Sequence, residues 1–129
     1  MSFSHNKNMR IIVLSILCLA LFSCRSKYDL AMERGIHLYQ IDDFNEAITE
    51  FKYVIAGLSS SYDKAENHKL LSEAHKKLAL AYAKKAEQSD EAQDLWYEKA
   101  LEEIKKSIDL LPDERKMIIF ERIKLKVEN

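Results

Sequence analysis

The chain has 129 residues, 47% of them hydrophobic and 32% charged, with two glycines and one proline. That composition suits packed helices and leaves too few turn-formers for an all-β fold. With Lys7 and Arg10 near the N-terminus set apart, the 21 acidic residues outnumber the basic ones by three, the opposite of the clustered Lys and Arg excess that binding to nucleic acid requires.

Residues 1–10 are polar, and Ile11 to Phe22 then run without a charge. Twelve residues in a helix rise about 18 Å, short of the roughly 20 residues that a bilayer span needs. The order basic-then-apolar predicts a secretory leader. The two cysteines form no disulfide framework, because Cys18 lies inside the apolar run and Cys24 directly follows it. With no other cysteine to bridge, helix packing has to hold an exported domain together.

Leu21-Phe22-Ser23-Cys24 resembles the lipobox of bacterial lipoproteins, with Phe22 where a smaller residue is usual. The resemblance implies that residues 1–23 are a lipoprotein signal peptide, that the Cys24 thiol carries diacylglycerol and its freed amine an acyl chain, and that residues 24–27 are a tether. Each buried methylene of such chains contributes about 0.8 kcal/mol, so two or three chains hold a protein on a membrane without a spanning helix. Arg25, Ser26 and Lys27 include no Asp, and in lipoproteins of this kind that implies the outer membrane, at its periplasmic face. The alternative is that Cys24 is simply a small residue near a cleavage site placed elsewhere. No cofactor is expected beyond the covalent lipid.

From Tyr28 onward apolar residues fall at helical spacing. Ala31, Met32, Gly35, Leu38 and Tyr39 predict one helix; Phe44, Ala47, Ile48, Phe51, Val54 and Ile55 predict a second, after a turn at Ile41-Asp42-Asp43. Asp43 and Glu46 stand at capping-box spacing. The polar stretch 59–63 predicts a turn. A helix is then expected from about Ala65 to Glu87 with Leu71, Ala74, Leu78, Ala81 and Tyr82 inward. Ser89-Asp90 is expected to cap the next, which carries Leu95, Trp96, Ala100, Leu101, Ile104, Ile108 and Leu111 and is closed by Pro112. A last amphipathic helix is expected over Asp113 to Val127, with Ile119, Phe120, Ile123 and Val127 on one side.

Ala31, Gly35, Leu38 and Tyr39, followed by Asp43-Phe44, Ala47, Phe51 and Val54, resemble a tetratricopeptide repeat, a helix-turn-helix unit of about 34 residues. Leu78-Ala79 with Tyr82, then Ala100, Ile104, Ser107 and Pro112, look like a second unit. Ala79 to Ala100 is 21 residues where Gly35 to Ala47 is 12, so about nine extra residues near Ala86 to Gln93 lengthen the helices or form a loop. The resemblance implies an all-α domain over residues 28–129, of about two units and a C-terminal capping helix. It also implies a concave groove presenting Asp29, Met32, Ile36, Tyr39 and Gln40 from the first unit and Glu73, Lys76, Leu80 and Lys84 from the second. The alternative reading is that Met32 and Ile36 face the core or a neighbouring helix.

Nothing in the chain has the spacing of a catalytic or metal constellation. His68 and His75 are seven apart, wider than zinc ligands on one helix. There is no Gly-rich phosphate loop and no nucleophile elbow, so no enzyme is expected. A short lipoprotein of this build resembles the BamD-type accessory lipoproteins of the outer-membrane β-barrel assembly machinery, which implies a protein-binding scaffold; a ligand-binding or adaptor lipoprotein of a transporter or secretion system is the alternative.

Overall fold

The computed structural model describes residues 2–22, 26–61 and 65–129. Among these residues the chain is all-helical, with no strand: α1 (Ser2–Phe22), α2 (Lys27–Gln40), α3 (Phe44–Leu58) with a 3-10 turn at Ser59–Ser61, α4 (Ala65–Glu87), α5 (Gln93–Leu110) and α6 (Glu114–Glu128).

α1 stands apart, packed on none of the other helices over any extended surface. Met9, Ile11, Ile12, Val13, Leu14, Ile16 and Leu17 lie all round it and are all exposed. Ser15 donates to the carbonyl of Ile11 at 2.8 Å, so its hydroxyl is satisfied within the helix. No described helix is long and apolar enough to cross a membrane.

From α2 onward each helix packs against the next, and α2 also touches α4. The core forms where the apolar faces meet, around Phe51, Val54 and Ile104, which are fully buried. Burying such side chains contributes about 1.5–3 kcal/mol each. α4 is the spine: every residue from Leu70 to Ala86 is buried or half-buried. The small residues decide how close the helices come. A methyl group on Gly35 would sit 2.5 Å from Cε1 of Phe51, so α2 and α3 meet across a hydrogen atom.

The helix ends follow local chemistry, with three departures from the sequence expectation. Asp43 caps α3 by accepting from the Glu46 amide at 3.3 Å, but the box is one-sided, because the Asp43 amide is already given to the Leu38 carbonyl at 2.9 Å. The reciprocal box forms at Ser26 and Asp29, so Ser26 caps α2, which starts at Lys27, one residue ahead of the expected Tyr28, and only Arg25 separates Cys24 from that cap. Ser89 does not cap α5. It accepts from the Ala92 amide at 3.1 Å and so shapes the turn that precedes the helix, whose N-cap Ala92 has no side-chain bond.

The extra residues between Ala79 and Ala100 lengthen the helices, α4 to 23 residues and α5 to 18, on either side of a short turn. α5 buries Tyr97, Ala100, Ile104 and Ser107. Leu95, two residues before Tyr97 and about 200° away on the wheel, is 50% exposed, contrary to expectation. α5 ends as expected, Leu111 before Pro112 being extended at φ −154, ψ 94. Leu111 itself is 44% exposed, and Val127, beyond the covered part of α6, is 37% exposed.

α6 is tied to the array by a buried polar knot. Lys116, only 2% exposed, donates from Nζ to Ser72 Oγ of α4 at 2.7 Å and to the Leu111 carbonyl. Ser72 and Ser107 each donate to the other's carbonyl, at 2.7 and 2.6 Å. A buried ammonium is tolerated only when its donors are used, and here Ser72 and the Leu111 carbonyl accept from it, with the Asp113 carboxylate 3.5 Å away.

Candidate partner-binding face

The groove residues expected from α2 and α4 come together only in part. α2 touches α4, and Tyr39 near the C-terminal end of α2 feels the charges of Lys84, Glu87 and Asp42. Burial pushes the Tyr39 hydroxyl's pKa up; Lys84 works against that shift, and Glu87 and Asp42 work with it. Tyr39 packs edge-on against Phe44, their ring centres 5.4 Å apart. Midway along α4, Lys76 acts by its charge on Asp113, the N-cap of α6. The Asp113 carboxyl is held below its ordinary range, first by the hydrogen bond from the Lys116 amide and then by the charges of Lys116 and Lys76.

Met32 is a correction. It is 5% exposed and belongs to the core cluster, because the side of α2 that carries it is covered by neighbouring helices, and it offers nothing to a groove. Ile36 and Leu80 are half-buried, and Gln40 is exposed. Asp29 is exposed but is committed to the Ser26 cap. The charges on α4 are paired at helical spacing, Glu73 with Lys76 at 2.7 Å and Lys84 with Glu87 at 2.7 Å. The face is therefore close to charge-neutral, with half-buried apolar side chains between ion pairs.

Two features were not legible in the sequence. His75 Nδ1 and Glu103 Oε2 lie 2.5 Å apart between α4 and α5, both largely buried. Burial alone would raise the Glu103 carboxyl's pKa, but the hydrogen bond and charge of His75, joined by Lys106, hold it below its ordinary range. The only hint in sequence was that both residues sit on inward-leaning helix positions; their pairing is tertiary. Among the described residues no group of three or more His, Cys, Asp or Glu side chains is placed to hold a metal ion.

The second feature is a polar cavity of about 300 Å³ at the end of the array, where the α2–α3 and α4–α5 turns meet. Asp42, Asp43, Asn45, Lys85, Gln88 and Ser89 line it, with Phe44 and Trp96 as aromatic walls. Lys85 Nζ lies 4.4 Å above the Trp96 ring and donates to Asn45 Oδ1, while Trp96 stacks on Tyr82 with centres 5.6 Å apart. Trp96 thus packs against α4 and also lines this cavity. Asp42 holds a left-handed backbone, φ 63, which for a non-glycine residue is uncommon and favours Asp and Asn.

Cys24 lies outside the described residues. Comparison of the chain with protein-family models, with curated proteins and with solved structures finds no match.

Proposed function

We propose that this chain is a lipid-anchored scaffold of tetratricopeptide type that holds a protein partner across the layer formed by α2, α4 and α6. The carrying observation is that α2 and α6 both reach α4. α2 touches α4, and Lys116 of α6 donates to Ser72 of α4 at 2.7 Å. A neutral face with apolar side chains between ion pairs suits an amphipathic segment laid along it.

The N-terminal features support the membrane half of the reading. A basic-then-apolar helix that shares no extended surface with the domain, with the Ser15 hydroxyl bonded to its own backbone, suits transfer into a hydrocarbon environment. Acylation at Cys24 would leave only Arg25 between the lipid and the Ser26 cap, holding the domain against the bilayer. In this reading the partner is a subunit of the outer-membrane β-barrel assembly machinery.

The test is cross-linking in intact envelopes with a photoreactive residue at Gln40 or at Lys84, beside an exposed control position at Glu98. Covalent capture of a β-barrel outer-membrane protein from both groove positions, and not from Glu98, is the expected result. Capture of a solute-transport component instead would favour the second reading, an adaptor or ligand-binding lipoprotein. The polar cavity between the turns speaks for that reading, since about 300 Å³ is the lower end of the ligand-site range.

A further inference from the structure

Among the described residues α6 is the last helix of the array, and one of its sides is uncovered. Lys116 and Ile123 are buried, with Ile119 and Phe120 half-buried beside them. On the opposite side Ile118 is 53% exposed and Leu125 57% exposed; they are seven residues apart and so nearly in line along the helix. Glu114, Glu121 and Glu128 flank this seam on one side, all exposed. Arg115, Arg122 and Lys126 flank it on the other, also exposed. At about 100° per residue each set lies within roughly 80° of Ile118, acids to one hand and bases to the other.

Elsewhere on the surface, charges answer one another within the chain, as in Arg34 with Glu50 and Lys106 with Glu102. On this face only Glu128 does so, with Lys124 at 3.8 Å. Among the described residues none is ion-paired with Glu114, Arg115, Glu121, Arg122 or Lys126. The spacing explains this: acid and base are adjacent in sequence at 114–115 and at 121–122, and neighbours one apart do not face each other on a helix. The charges are sorted for something outside the chain.

We propose that this face pairs with the same face of a second copy, α6 against α6 in parallel about a two-fold axis running along the helices. Such a rotation turns the acidic flank of one copy onto the basic flank of the other, bringing Glu121 to Lys126 of the second copy. An antiparallel two-fold sets acid against acid and base against base. Ile118 and Leu125 then meet their own counterparts along the seam, as apolar positions seven apart do in a two-stranded coiled coil. A 15-residue helix is about 22 Å long, so the contact falls in the small-interface class and the dimer is weak. The inference needs neither the lipid nor the α2–α4 face.

The test uses the full chain in density-matched detergent, with mass read by sedimentation. The wild type is expected to shift from monomer to dimer as its concentration rises. The triple variants Glu114→Arg/Glu121→Arg/Glu128→Arg and Arg115→Glu/Arg122→Glu/Lys126→Glu are each expected to stay monomeric with unchanged helical circular dichroism, because all six positions are exposed. Mixed in equal amounts, the two variants are expected to dimerise. A wild type that remains monomeric overturns the proposal, as do variants that still self-associate, which would put the contact at α1 or elsewhere, and a mixture that does not associate. Orientation is read by oxidation of Ile118→Cys and Leu125→Cys chains, each also carrying Cys18→Ser and Cys24→Ser. Each is expected to bridge with itself; bridging only between the two different variants would overturn the parallel arrangement.

Discussion

At the scale of single residues, the fold depends on a few side chains whose size or charge has no slack. Gly35 is one: its neighbour Phe51 is fully buried and cannot swing away. In Gly35→Ala the better helix propensity of alanine, about 1 kcal/mol, is set against overpacking of about 1–3 kcal/mol. The expected outcome is a net loss of roughly 1 kcal/mol in urea unfolding followed by circular dichroism; a gain in stability would mean that the α2–α3 contact is looser than the structure has it. Lys116 is the other. It occupies a core position with a charge, and the Ser72 hydroxyl, the Leu111 carbonyl and the Asp113 carboxylate at 3.5 Å are what make that position acceptable.

Between elements, the α4–α5 pair is the largest helix contact and holds the His75–Glu103 pair. The Glu103 carboxyl has a lowered pKa in the fold, so its contribution is present in full above the unfolded carboxylate pKa, about 4.3, and is lost as pH falls through the lower, folded value. Glu103→Gln removes that titration. Its unfolding free energy is expected to lie below the wild type's at pH 7 and to fall less steeply as pH drops below the unfolded carboxylate pKa, about 4.3. Parallel acid limbs in the two proteins would show that Glu103 does not couple protonation to folding. Because Glu103 is mostly shielded from solvent, this pair matters more than the exposed ion pairs around it, which contribute about 0–1 kcal/mol each.

For the whole molecule, the proposed anchor and the helical body are separable. Cys24→Ala is expected to abolish incorporation of radiolabelled fatty acid and to leave the uncleaved precursor, while the α2–α6 body keeps its helical spectrum. Labelling equal to wild type in that variant would remove the anchor from the account. The body has a further global property: its core is continuous from α2 to α6 because each helix buries a face against the next. Partial unfolding is therefore expected to begin at the end helices α2 and α6, read as faster native-state amide exchange there than in α4.

Much of this was legible in the sequence, because it rests on local periodicity. The apolar spacing of Ala31 to Gly35, of Ala47 to Val54 and of Ala100 to Ile104 sets the buried stripes of α2, α3 and α5, and Pro112 ends α5 through backbone sterics alone. The uncharged run after Lys7 and Arg10 likewise needs no fold to be seen. What tertiary structure decided was which of two plausible faces each helix buried, and what met across the gaps. Met32 went into the core and Leu95 to solvent, and Asp43 kept half a capping box because Leu38 claimed its amide. The buried Lys116, the His75–Glu103 pair and the cavity walled by Trp96 join residues between 28 and 54 positions apart in the chain. Periodicity describes one helix at a time, whereas desolvation and hydrogen bonding are settled only when two helices meet.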